Sequence, residues 1–315
     1  MLSIASFFCG VGGIDLGFER AGFRTLWAND QSLAALKTYQ LNHKGALVVH
    51  GDVHDVDMTT IAPVDVVVGG FPCQPYSIAG ARRGLDDPRG DCFFCLEKAL
   101  LTLRPRAFLF ENVRHLLRIN GEETIGIMAD HLRSAGYFVT FAVLNASSYG
   151  NIPQNRERLY IVGFRSAADF ARFRFPDPVA LTRPLSDFVG FNTPEDPKYY
   201  YTPERHAFFA TLNAGVVRND ILYQWRRVYV REPKSGLCPT LTANMGTGGH
   251  NVPIIRCVDG VRKLTPRECF NLMGFPTDYA LPGDVSDTTL YSQAGNSVVV
   301  PVIERLALAM KNALA

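Results

Sequence analysis

Over its first 165 residues the chain alternates between segments that read as buried strands and segments that read as helices, and few architectures accept that rhythm. "LSIASFF" (2–8) is an apolar run suited to a strand covered on both faces, and "GIDLGFERAG" (13–22) repeats apolar residues at helical spacing. "FRTLWAN" (23–29) returns to strand and "SLAALKTYQLNH" (32–43) to helix. The strand-like runs "ALVVHGD", "VDVVVGG", "RAFLFEN", "YFVTFAVLNA" and "RLYIVGF" continue the series, with the helix-like "CFFCLEKALLTL" and "TIGIMADHLRSAG" among them. Strands joined through helices run parallel and need cover on both faces. The expectation is an α/β fold whose ligands bind beyond the carboxyl ends of the strands.

The texture changes after residue 174. "RFPDPVALTRPLSDFVGFNTPEDPKYYYTP" holds six prolines and little periodicity, which places a domain boundary there. We expect a first domain over 1–176 and a smaller, irregular, β-rich domain over 177–280. Residues 281–315 complete the first domain, the helical period of "VVVPVIERLALAMKNALA" packing back on it. A chain of 315 residues with 47% hydrophobic residues can bury two such cores. The net charge of +2 identifies no partner, so a nucleic-acid surface has to be argued locally. Neither a leader nor an apolar run of membrane-spanning length is evident, which leads us to expect a cytosolic protein without membrane contact. Seven cysteines scattered through such a chain read as reduced thiols.

One of them stands apart. Cys73 lies in "GGFPCQPYSIAG", a Gly- and Pro-punctuated loop directly after a strand, where a structural thiol would sit within an apolar run instead. Glu111 falls at another strand end. The glycine cluster "FFCGVGGIDLGF" lies between the first strand and helix, yet it is not the dinucleotide fingerprint, because Asp15 occupies the place of the third glycine. Asp30 and Asp52 follow the next two strands, where carboxylates can take ribose hydroxyls and an adenine amino group. Singly, these acids read as turn or helix caps.

Taken together, the motifs resemble the cytosine-5 DNA methyltransferase family, in that family's usual order and over nearly the whole chain. They are "FFCGVGGIDLGF", "GD" at 51, "GGFPCQPYSIAG", "ENV" at 111, "PQNRERLYIVGF" at 153, "RKLTPRECFNLMGFP" at 262 and "QAGNSVVVP" at 293. The resemblance implies a Rossmann-like domain using S-adenosylmethionine, followed by a target-recognition domain. It implies Cys73 as nucleophile, Glu111 as its partner at the base, and Arg156 and Arg158 as supports. For the cofactor it implies Phe8, Asp30, Asp52, Phe71 and Asn296, with Gly10, Gly12 and Gly13 in the turn. Three positions depart from the family pattern: Ser6 for an Asp, Asp30 for a longer Glu, and Gln31 for an apolar or aromatic residue.

The chemistry can be argued from the residues. Carbon 5 of cytosine is a poor nucleophile until a thiolate adds at carbon 6 and makes the ring enamine-like; loss of the carbon 5 proton after methylation expels the enzyme. A thiol serves because a few per cent is already thiolate at neutral pH. Glu111 would hydrogen-bond ring nitrogen 3 as charge develops there. If "RER" is strand-like, Arg156 and Arg158 share one face and Glu157 takes the other.

The reacting carbon is hidden in a duplex, so the base must be flipped out. Residues 76–91, with three glycines and Arg82, Arg83 and Arg89, would suit a lid on the DNA, and Gln74 and Ser77 are placed with them as DNA-facing. In the second domain, seven Lys or Arg face three Asp or Glu between Arg218 and Arg262. "YQWRRVYVREPK" interleaves rings with cations and offers Arg226 and Arg227 to a backbone. "TLTANMGTGGHN" adds Thr240, Asn244, His250 and Asn251, and its Thr-Leu pair matches one in the family's target-recognition region. Cys92 and Cys95 have metal spacing but lack a second ligand pair, and read as two small residues on an early helical turn.

The expected partner is double-stranded DNA, the expected state a monomer in the bacterial cytoplasm, nucleoid-associated when on DNA, and the resemblance implies a cognate restriction endonuclease. No metal is expected. The rival readings are a tRNA cytosine-5 methyltransferase and a DNA-binding protein that has lost catalysis.

Overall fold

The structure, a computed structural model, describes residues 1–72, 92–247 and 251–315, with the backbone alone for 119–122. Cys73, Gln74, Ser77, Arg82, Arg83, Arg89 and His250 lie outside the described residues. By contacts the chain forms two compact units, one of Met1–Leu144, Glu157–Asp177 and Val300–Ala315, the other of Asn145–Arg156 and Pro178–Val299.

The first unit is built on a seven-stranded sheet: β1 (Ser3–Phe7), β2 (Arg24–Asp30), β3 (Leu47–His50), β4 (Val66–Gly70), β5 (Ala107–Val113), β6 (Phe138–Asn145) and β7 (Glu157–Phe164). Their order is β3-β2-β1-β4-β5-β7-β6. The first five strands are parallel, whereas β7 runs antiparallel to β5, with Glu111 opposite Tyr160. Unbroken apolar runs are the mark of strands covered on both sides: Val66, Val67 and Val68 on β4 and Phe108, Leu109 and Phe110 on β5 are all fully buried. Helices α1 (Gly13–Arg20), α2 (Leu33–Asn42), α3 (Cys92–Leu103) and α4 (Glu123–Ser134) alternate with the strands. Ser32 caps α2 by accepting a bond from the Ala35 amide.

The main core gathers Phe7, Trp27, Phe71, Phe93, Phe108 and Phe110. Each such side chain contributes about 1.5–3 kcal/mol by leaving water. The C-terminal helix Val300–Leu314 packs on α1, where Gly17 allows close approach: a Cβ there would lie 2.6 Å from Ile303. By contacts this helix groups with the first unit.

The second unit holds two hairpins, Gln224–Arg226 with Tyr229–Arg231 and Ile254–Cys257 with Gly260–Lys263, and the helices Phe209–Gly215, Pro266–Leu272 and Asp287–Asn296. Its core contains Leu212, Tyr223, Trp225, Ile254 and Val261. Arg262 is fully buried and forks onto Glu268 at 2.7 and 2.8 Å, while Glu268 closes a capping box with Thr265. Residues 145–156 and 281–299, which the sequence reading joins to the first domain, group by contact with this unit. The reasons are local: the buried Tyr291 donates to Leu264 O, and Gly295 lies against the backbone of Thr242. Among the described residues no helix is long and apolar enough to cross a membrane.

Candidate active site

Adjacent parallel strands place Gly70, the end of β4, opposite Glu111 on β5. Cys73 follows Gly70 by three positions in the chain. Glu111 is 9% exposed, and its Oε1 is 3.1 Å from Arg158 Nε. Its Oε2 leans toward the β4 terminus, where a Cβ on Gly70 would come within 3.4 Å of it. Asn112, also buried, donates from Nδ2 to Phe71 O at 3.1 Å and so ties the segment leaving β4 to the end of β5. The Glu111 carboxyl is thus held by Arg158 within its own unit.

Arg158 pairs with Glu111, whereas Arg156 serves other groups. β7 begins at Glu157, so the strand alternation expected for "RER" does not include Arg156. Arg156 belongs to the second unit, is buried, and donates to Leu241 O at 2.6 Å, Gly295 O at 3.0 Å and Ser297 O. A guanidinium suits this task because its fixed fork satisfies several carbonyls at once. It draws "TLT" and "QAGNS" together within that unit. Glu157 pairs with Arg114.

The turn after β1 has the backbone of a ligand cradle. Phe8, Gly10 and Gly12 have φ of 54, 54 and 82°, and Gly12 is the left-handed N-cap of α1. A Cβ on Gly10 would meet nothing within 4 Å, so the turn faces open space there. Gly13 is the first residue of α1. Asp30 accepts from the Gly10 amide at 2.8 Å with one oxygen and from the Ser32 amide at 2.8 Å with the other. Burial pushes the Asp30 carboxyl up from its usual range, and these two amides and the nearby His50 counter the shift. Asn29 donates to Val49 O and Gly51 O, both at 3.0 Å, which positions Asp52. Asp52 caps its own turn through His54, whose amide and ring hold the carboxyl below its usual range. Phe71 is buried between Phe93 and Phe110, and Phe8 packs beside the same core. Asn296 ends the helix Asp287–Asn296 in the second unit and is exposed.

Of the departures from the family pattern, Ser6 is fully buried and donates to Asp15 at 2.8 Å, so a carboxylate still lies at the end of β1, carried by α1. Gln31 is exposed and takes a bond from His50 through its carbonyl.

Arg226 and Arg227 are exposed on the first hairpin, Arg227 with φ 62°. Thr240 donates to Asn155 O at 2.6 Å, and the exposed Asn244 accepts from Thr242. Cys92 and Cys95 occupy the first turn of α3, half buried. Burial raises the thiols of Cys9, Cys238 and Cys269 well above their ordinary value, which keeps them protonated and unreactive.

The model of the family described as C-5 cytosine-specific DNA methylase matches residues 2–312. The chain belongs to this family. It is 48% identical over 309 residues to the Type II methyltransferase M.Bsp6I of Bacillus sp. (strain RFL6), covering 98% of each protein. It is 31% identical to the Type II methyltransferase M.HhaI of Haemophilus parahaemolyticus, over 97% of this chain and 93% of that protein. The fold is similar to the crystal structure of the S. pombe Dnmt2 methyltransferase, with a TM-score of 0.76 at 21% identity and 99% coverage of both chains. As a C-5 cytosine-specific DNA methylase, the protein is a DNA cytosine-5 methyltransferase whose methyl donor is S-adenosylmethionine and whose substrate is DNA.

Three groups of site residues escape a reading by motif. Gln154 is fully buried; it donates to Leu272 O and accepts from the Leu241 amide, although it stands beside the arginines that drew attention in "PQNRER". Asn112 adjoins Glu111. Asp15, Tyr39 and His43 form a buried polar cluster under the glycine turn, and the available signal was an acid on the apolar face of "GIDLGF".

Proposed function

We propose that Cys73 is the nucleophile of this methylase, that Glu111 is its partner at the base, and that Arg158 fixes Glu111. The observation that carries the proposal is the Glu111–Arg158 pair on β5, opposite Gly70, the β4 terminus from which the chain runs to Cys73. The turn residues fit a cofactor that carries adenosine: Gly10 borders open space, and Asp30 and Asp52 stand at successive strand ends. Gly10, Gly12, Gly13, Asp30 and Asp52 would hold it, with Phe8, Phe71 and Asn296 contributing. When bound, S-adenosylmethionine supplies an electrophilic methyl group.

The remaining roles fall to this chain's residues. The Cys73 thiolate forms a bond to carbon 6 of cytosine, moving an electron pair toward carbon 5 and ring nitrogen 3. Glu111 is hydrogen-bonded to nitrogen 3, where negative charge grows, and Arg158 keeps the carboxyl in place. Once carbon 5 is substituted, loss of its proton returns an electron pair to the ring and the carbon 6–sulfur bond breaks, restoring the thiolate. Arg156 acts at a distance, holding Leu241 and the segment before Asn296.

Specificity is assigned to residues 177–280, with Arg226 and Arg227 on backbone phosphates and Thr240, Asn244 and His250 near bases. Residues 76–91, including Arg82, Arg83 and Arg89, serve as the lid, with Gln74 and Ser77 facing DNA. The name Type II methyltransferase shared by the relatives supports a cognate restriction endonuclease acting on the same site; the further reading is of a monomer in the bacterial cytoplasm, bound to the nucleoid when on DNA. Bisulfite sequencing of DNA from cells expressing the protein tests substrate, reaction and site together. One short duplex sequence should be protected, and the Cys73→Ala variant should leave none protected. DNA with no protected site, or protection undiminished in Cys73→Ala, overturns the assignment.

A further inference from the structure

Beneath the glycine turn lies a polar cluster to which none of the proposed catalytic steps assigns a role. His43 is the C-cap of α2 and is 5% exposed. Its Nδ1 lies 3.2 and 3.0 Å from the two carboxylate oxygens of Glu19 on α1, and Glu19 is held in turn by the Thr25 hydroxyl on β2 at 3.0 Å. The imidazole stacks on Tyr39 at 4.4 Å, and the Tyr39 hydroxyl donates to Asp15, which also receives the Ser6 hydroxyl. The ring presses on the turn itself: a Cβ on Gly12 would lie 2.2 Å from His43 Nε2. Gly12 is the residue whose carbonyl accepts the Leu16 amide and starts α1.

We propose that His43 is a positioning residue for the methyl donor, clamped to Glu19 and seated under Gly12, so that its ring sets the turn on which the cofactor rests. This rests on the reading that the Gly10–Gly13 turn holds S-adenosylmethionine. The geometry supports it from two directions. One α1 side chain, Glu19, fixes the ring, and the ring in turn supports the residue from which α1 begins, so turn, helix and imidazole are set together. The absence of a side chain at Gly12 then has a second cause besides its left-handed backbone, namely the room taken by the ring.

The charge on the ring matters because the clamp is an ion pair only when the imidazole is protonated. Burial opposes the charge, but the Glu19 hydrogen bond and the nearby Asp15 and Glu19 carboxylates outweigh it and raise the His43 pKa. The end of α2 favours a cation as well. The other titratable groups facing the cluster, Cys9 and Tyr39, are both pushed up by burial beside Asp15 and stay neutral. For a histidine raised in the folded state, the contribution is complete below the ordinary histidine value and is lost as pH rises through the folded one. With the ion pair gone the ring no longer holds the turn in its binding geometry, so the proposal predicts that cofactor affinity also weakens on the alkaline side.

Calorimetric binding of S-adenosylhomocysteine across pH, without DNA, tests this apart from the catalytic thiol. The wild type should show constant affinity in mild acid and an alkaline loss. His43→Phe, which keeps the ring stack and removes the clamp, should bind about tenfold more weakly at low pH and show a flat profile. Glu19→Gln should move the alkaline loss to lower pH. Thermal melts identify the range in which each variant is folded. If His43→Phe lowers the melting temperature yet binds with the wild-type affinity and pH profile, the ring is structural only and the proposal falls. Asp30→Asn separates the two readings: if it weakens binding while His43→Phe does not, the positioning role alone is wrong, and if neither matters, the turn does not hold the cofactor.

Discussion

Removing the Arg158 guanidinium should expose how strongly the reactive carboxyl depends on it. Arg158 Nε and Glu111 Oε1 are 3.1 Å apart, with side chains 14% and 11% exposed. At an effective dielectric of about 20, such a pair attracts by ~5 kcal/mol, and the cost of taking both ions out of water consumes much of that. A coupling of ~2 kcal/mol should survive. Arg158→Ala leaves a buried carboxylate without this cation and should cost ~3 kcal/mol of stability, while Glu111→Gln, which keeps shape and hydrogen bonding, should cost less. The double variant should then be ~2 kcal/mol more stable than the two single losses summed. Urea denaturation of the four proteins gives these values if the slopes agree. Single-turnover methylation should fall about a hundredfold in Arg158→Ala, and Arg158→Lys, which retains charge without the fork, should recover only part. A coupling below ~0.5 kcal/mol together with a rate within about threefold of wild type would refute the claim that Arg158 fixes Glu111.

Duplex DNA with 5-fluorocytosine at the methylated position should trap the enzyme, because fluorine cannot leave as a cation, and proteolysis should map the adduct to the peptide holding Cys73. An adduct on Cys92 or Cys95, or one formed by Cys73→Ser, would show that the wrong cysteine was chosen. Asp52→Ala should weaken S-adenosylmethionine binding about tenfold by calorimetry, while Cys73→Ala should bind normally and transfer nothing; the reverse pattern would remove both roles. Because His54 holds the Asp52 carboxyl below its usual range, that contact should persist at neutral pH and fade only as pH falls below the ordinary aspartate range. Gly163→Ala on β7 should destabilise the first unit by ~2 kcal/mol, since its Cβ would fall 2.1 Å from the Phe108 ring. Thermal unfolding at wild-type temperature would show instead that the Phe108 ring gives way.

The strand and helix rhythm of the first 165 residues was legible in the sequence because each run carries its own period. A fully buried strand such as β4 must be apolar throughout, and a capped helix such as α2 announces itself with Ser32. Glu111 could be placed near the carboxyl end of a strand for the same reason, and it lies on β5 two residues before the strand's last. Tertiary structure decided what the periods do not encode. No local pattern says that β7 would run antiparallel beside β5 and carry Arg158 onto Glu111, because that pairing joins residues 47 positions apart. Arg156 and Arg158 look alike in "RER", yet one serves three carbonyls of the second unit and the other a carboxylate of the first, and only the start of β7 between them separates the roles. His43 reads as the last residue of a helix; its clamp on Glu19 and its seat under Gly12 exist because packing brings α1 and the end of α2 together. Periodicity is a property of neighbours along the chain, whereas a hydrogen bond between distant residues depends on how whole elements pack, and that is settled only when the fold has formed.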